Sequence, residues 1–161
     1  MKTLTRSVRR MLLTAAVAGI VAAAIGGVSL ARAGGTASDT TFTLNELQGK
    51  FTFVNVTHTA QGAPGDELIF RSALTNSGGT RIGALDVVCT LTFGNHLQCL
   101  GTYRLPGGTL IGSAVIPKDE NNTQPVQIAI TGGTGRYDHA RGQVTSTPVN
   151  STTNHDVVDL D

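Results

Sequence analysis

Residues 84–105 read ALDVVCTLTFGNHLQCLGTYRL, and this stretch decides the fold. Leu85, Val87, Cys89, Leu91 and Phe93 alternate with Ala84, Asp86, Val88, Thr90 and Thr92, so an extended strand here carries one apolar face and one small or polar face. Gly94-Asn95-His96 interrupts the run and the alternation resumes beyond it, which is the pattern of a hairpin. With the turn centred on Gly94, Cys89 lies opposite Cys99. Directly opposed residues have Cβ atoms about 4.5 to 5.5 Å apart, so a disulfide there asks for a non-hydrogen-bonded pair and some local adjustment. The same alternation makes Asp86 a surface charge, whereas an inverted register makes it a buried acid and a candidate for general catalysis. Tyr103 shares the parity of Cys99 and points to the apolar side, where its hydroxyl can orient a polar group of a ligand.

Outward from the hairpin, short runs of Val, Ile, Leu, Phe and Thr are punctuated by Gly, Pro, Asn and Asp. Strands are predicted over 51–59, 67–75, 82–93, 97–105, 109–116, 125–131, 142–147 and 153–160, with no helical stripe of useful length. Residues 34–41 are Gly, Thr, Ser and Ala with one Asp, the composition of a flexible leader. The domain is therefore expected over 42–161 as an all-β, closed eight-stranded antiparallel barrel. Closure removes exposed strand edges, and eight strands leave an interior that side chains just fill or that holds one small ligand. The chain has five Phe, two Tyr and no Trp. Many inward positions fall to Thr, Gly, Ala or Val, which favours a cavity over a filled barrel.

The N-terminal end reads as an export signal. Lys2, Arg6, Arg9 and Arg10 precede a weakly polar run over 11–30, and Ala31-Arg32-Ala33 offers small residues for cleavage before Gly34. Residues 1–33 are accordingly expected to be a signal peptide and the mature chain to be secreted or extracytoplasmic. An uncleaved anchor is the alternative, since about 20 apolar residues can span a bilayer. Arg9-Arg10 leaves both the twin-arginine and the general secretory route open. The whole chain has 12 Lys and Arg against 11 Asp and Glu, and five of the basic residues (Lys2, Arg6, Arg9, Arg10, Arg32) lie in the signal. The mature charge of about −4 disfavours nucleic acid and anionic lipid as partners. In an exported chain, two in-register cysteines favour a Cys89–Cys99 disulfide; two free buried thiols acting as small apolar residues are the alternative.

Gly65-Asp66-Glu67-Leu68-Ile69-Phe70, then Arg81-Ile82-Gly83 and Val88-Cys89, resembles in order and spacing the second and third strands of allene oxide cyclases. Ala129-Ile130-Thr131-Gly132-Gly133-Thr134-Gly135-Arg136-Tyr137, continuing to Ala140-Arg141-Gly142, resembles a signature shared by allene oxide cyclases and dirigent proteins. With Gly101-Thr102-Tyr103 between them, the resemblance spans about 51–144. It implies a barrel lumen that takes an apolar metabolite, assembly as a dimer or trimer, and chemistry done by holding a reactive chain in one conformation. It also places Cys89 and Phe70 in the lumen. Two departures stand out: the expected first strand, 51–58, holds no carboxylate where the cyclases have a glutamate, and Arg71-Ser72 stands where dirigent proteins have paired aspartates.

The lumen candidates are Phe53, Leu68, Phe70, Cys89, Leu91, Cys99 and Tyr103, with Arg104, Arg136 and Tyr137 at the mouth. Tyr137 and Ala140 are alternatively a plug of the barrel end. If the barrel is an enzyme, a polar group must act inside, and Asn55 and Tyr103 are the candidates. No metal or organic cofactor is expected: His58, His96, His139 and His155 lie far apart, with no zinc or haem spacing. A Gly-x-Ser-x-Gly elbow is absent, so a hydrolase reading has no anchor. The expected partner is an apolar small molecule in a homo-oligomer. Three functions remain open: a dirigent-like binder that steers a reaction, a cofactor-free cyclase or isomerase of an unstable lipid-like or polyketide-like intermediate, and a filled barrel with a surface role.

Overall fold

Alternation of apolar and polar residues in eight successive segments gives eight strands, here in a computed structural model that describes residues 39–60, 62–118 and 123–161. They are β1 (Thr40–Val54), β2 (Glu67–Thr75), β3 (Arg81–Thr92), β4 (His96–Leu105), β5 (Gly108–Pro117), β6 (Val126–Gly135), β7 (Gly142–Asn150) and β8 (Thr153–Leu160). Each strand pairs antiparallel with the next, and β1 closes the barrel on β8. The expected signal peptide, residues 1–33, lies outside the described residues.

Strand β3 pairs with β4 in the register centred on Gly94, with Cys89 opposite Cys99 and Leu85 opposite Tyr103. Cys89 and Cys99 are joined by a disulfide, as the hairpin register predicts. The bridge closes a short loop, of sequence separation 10. The double variant Cys89→Ala/Cys99→Ala is expected to lose about 2 to 3 kcal/mol. Urea unfolding of the two proteins measures this; an unchanged midpoint would show that the bridge adds no stability.

The first strand differs from expectation. It begins at Thr40, not Phe51, and ends at Val54, so the last two residues of the expected leader are strand and residues 55–59 are loop. Thr41, Thr43 and Asn45 on its outer face hide the alternation of Phe42, Leu44, Glu46 and Gln48. Its partner is β8, paired from Thr40–Leu160 to Leu47–Thr153, so distant pairing and not local composition makes it a strand. A register shift between Gln48 and Phe51 bends the strand. Gly49 sits at that bend, where a Cβ would meet the Arg71 carbonyl oxygen at 2.6 Å.

One end of the barrel is closed. Leu44, Leu74, Leu105, Leu110, Val158 and Leu160 are buried there, with Ala140 from the loop after β6. Tyr137 packs on this core with its ring 6.4 Å from that of Phe42, and the Arg136 guanidinium lies 5.3 Å over the same ring. Arg141 donates to the carbonyls of Thr131 and Ala140, both at 2.8 Å. The glycine-rich segment therefore folds the corner that plugs the barrel.

At the other end the loop after β1 is fastened by Asp66. This fully buried carboxylate accepts from the Thr57 amide (2.8 Å), the Thr57 hydroxyl (3.0 Å) and the Ala63 amide (2.8 Å). Burial pushes its pKa up, but those hydrogen bonds outweigh the effect and hold it below the ordinary aspartate value. The Asp66 carbonyl also accepts from the Leu91 amide at 2.7 Å, tying the loop to β3.

Candidate functional site

Opposite the plug, the barrel opens into a cavity of about 330 Å³. That is near the small end of ligand pockets, which run from roughly 300 to 1,000 Å³. Phe70 from β2, Leu85 and Val87 from β3, Ala114 and Ile116 from β5, and Val126 and Ile128 from β6 make its apolar wall. Gly101 and Gly112, paired across β4 and β5, add bare backbone to it. Gln48 from β1 and residues 150–154, the β7–β8 turn with its flanking strand ends, form a polar rim, where the Gln48 backbone N–H donates to the Thr152 carbonyl at 2.8 Å.

Within this apolar interior stand two carboxyl groups. Glu46 lies on the cavity wall yet is only 7% exposed. Its two oxygens accept from the Ser72 hydroxyl at 2.7 Å and the Asn154 side-chain amide at 3.2 Å. Asp156, in phase with buried Val158 and Leu160 on β8, is fully buried, and neither of its oxygens has a hydrogen-bond partner. Burial pushes its pKa up to about 7; the hydroxyl of Ser146, its register partner, pulls the other way, and the Glu46 charge adds to the rise. Tyr103, 1% exposed, reaches the cavity wall, and burial followed by the charges of Asp156 and Glu46 holds its phenol well above 10.0. The cavity wall thus carries a carboxylate anchored by two donors and a protonated phenol, and the buried acid Asp156, which titrates near neutrality, bears on both electrostatically.

Of the residues chosen from sequence, Phe70, Cys99 and Tyr103 line the cavity. Cys89 and Leu91 are buried beside it, Leu68 is half-buried against the same core, and Phe53 is 42% exposed. Three mouth assignments need correction. Arg104 lies on the outer wall, where it and Arg71 both pair with Asp86, so Asp86 is a surface charge. Arg136 and Tyr137 belong to the closed end. Asn55 is corrected too: it is exposed in the loop after β1, its amide donating to the Thr59 carbonyl at 3.0 Å. The apparent absence of a first-strand carboxylate is also reversed, because the true β1 contains Glu46.

Sequence reasoning missed Glu46, Ser72, Ser146, Asn154 and Asp156. The parity of Phe42 and Leu44 carries Glu46 inward, and that of Val158 and Leu160 carries Asp156, so the signal was present as alternation.

Comparison with protein-family profiles and with curated sequences gives no match. Solved structures do match. A pyocyanin demethylase superposes with a TM-score of 0.63 at 24% identity, over 74% of this chain and 99% of its own. An exo-specific intermolecular Diels-Alderase gives 0.58 at 14% identity, over 76% and 98%. A pterocarpan synthase dirigent protein gives 0.54 at 17% identity, over 76% and 92%. At these identities the likeness is one of fold: this chain shares its barrel architecture with these three proteins.

Proposed function

We propose that this chain is an exported barrel that takes an apolar small molecule into its lumen and steers its reaction there, as a cyclase or isomerase needing no organic or metal cofactor. The observation that carries the reading is the open, largely apolar cavity with Glu46 and Tyr103 on its wall and Asp156 buried beside them. A filled barrel with a surface role has no use for that arrangement, since burying two acids costs stability. The names of the matched structures, a Diels-Alderase, a pterocarpan synthase and a demethylase of pyocyanin, all denote proteins acting on small organic molecules. The disulfide fits an oxidising compartment. Assembly of copies is supported by Ile69, Val88 and Leu100, exposed at 40%, 41% and 55% and in register across the outer faces of β2, β3 and β4.

Native mass spectra of protein taken from the exported fraction test the proposal. A small-molecule mass lost on denaturation is expected, from a chain starting at Gly34. Ala114 lies on the cavity wall, and Ala114→Phe is expected to abolish that mass while the fold is kept. Identical ligand-free spectra for wild type and variant, also after incubation with apolar extracts, would overturn the binding reading.

A further inference from the structure

We infer that the lumen moves a proton α to the carbonyl of an apolar ketone-class ligand, with Glu46 as the base and Tyr103 as the donor that holds the carbonyl oxygen. The inference rests on the lumen reading above and names its chemistry. Both residues reach the cavity surface from different strands, β1 and β4, and the rest of the wall around them is largely apolar. A carboxylate offers about four acceptor sites, so the bonds from Ser72 and Asn154 leave Glu46 lone pairs to spare while fixing its orientation. A phenol kept protonated by burial is a donor for developing negative charge, and in largely apolar surroundings such a contact counts most.

The step balances without a co-reactant. The C–H proton passes to the Glu46 carboxylate, the C–H electron pair becomes a carbon–carbon double bond, and the carbonyl π pair moves to the oxygen held by Tyr103. Glu46 then returns the proton to the same carbon, or to the γ carbon of a conjugated enolate, which shifts a double bond. Asp156 is a positioning residue in this scheme. It is fully buried and faces Glu46 from β1, Tyr103 from β4 and Ser146 from β7. While protonated it adds no charge beside the enolate; once ionised it repels both the enolate and the Glu46 carboxylate.

The probe is 2-tetralone, an apolar ketone with an acidic α carbon, in D2O. Proton NMR follows loss of the C1 hydrogens, and calorimetry with the same ketone reports binding separately. Exchange at least tenfold above buffer is expected for the wild type, at buffer level for Glu46→Gln, and about 10 to 100-fold slower for Tyr103→Phe, with KM within a few-fold. The wild-type rate is expected to fall as pH rises through about 7, and Asp156→Asn is expected to remove that fall. Thermal melts check that each variant folds. Binding without exchange, or exchange that survives Glu46→Gln, overturns the inference and leaves the lumen reading standing. Neither binding nor exchange overturns it as well, and the lumen reading is then decided by the native mass spectra.

Discussion

Asp156→Asn is expected to stabilise the protein by about 2 to 4 kcal/mol at pH 8 and by almost nothing at pH 4. The carboxyl titrates near 7 in the folded chain against 3.8 when freely solvated. Between those values the native state holds a proton that the unfolded state releases. Stability is therefore fully present below 3.8 and is lost as pH rises through the folded value, at up to about 1.4 kcal/mol per pH unit. Above about 7 both states are ionised and the loss is complete. The amide keeps the shape of the protonated acid and cannot ionise, so the variant escapes this loss. Coupling to Glu46 and local relaxation set the lower end of the range. Urea unfolding of both proteins at pH 4, 6 and 8 checks it. A constant difference across the three would show that the Asp156 charge is not what the barrel resists. A protein that keeps such a residue sacrifices stability near neutrality, as functional sites commonly do.

Gly133→Ala is expected to destabilise by roughly 3 to 5 kcal/mol, whereas Gly132→Ala next to it is expected to stay within about 0.5 kcal/mol. A Cβ on Gly133 would stand 2.4 Å from the Tyr137 carbonyl oxygen and 2.6 Å from that of Thr109. Both obstacles are backbone, one in the plug loop and one in β5, so relief requires parting β6 from its neighbour or lifting the plug. On Gly132 the nearest atom is the flexible end of Arg141, at 3.8 Å. Urea midpoints of the two variants measure the contrast. Equal values would mean that the corner yields far more easily than its packing implies. Because the plug lies at the end opposite the cavity, Gly133→Ala lowers stability without touching the site.

Local alternation made the hairpin legible. Leu85 to Phe93 and Leu97 to Tyr103 alternate cleanly around Gly94, and that pattern carried the Cys89–Cys99 pairing and the outward face of Asp86. Six further strands followed from similar runs, although the placement of the first was off. Strand β1 is held by β8, more than a hundred residues away; Thr40 and Thr41 read as leader, and residues 42–50 fall in no predicted strand. The misplaced strand hid Glu46 and put Asn55 forward in its stead.

Period-two patterning and turn residues determine, from sequence alone, that this chain forms an all-β barrel with a bridged hairpin and a glycine corner, because both signals act between neighbours a few residues apart. Only the tertiary structure decided which polar side chains share the lumen. Glu46, Ser72, Tyr103, Ser146, Asn154 and Asp156 come from five strands, and each looks like an ordinary polar residue in its own segment. Their meeting depends on barrel closure and on the stagger of distant strands. The unusual protonation of Asp156 and Tyr103 arises from that enclosure, a property of the assembled barrel and not of any single strand.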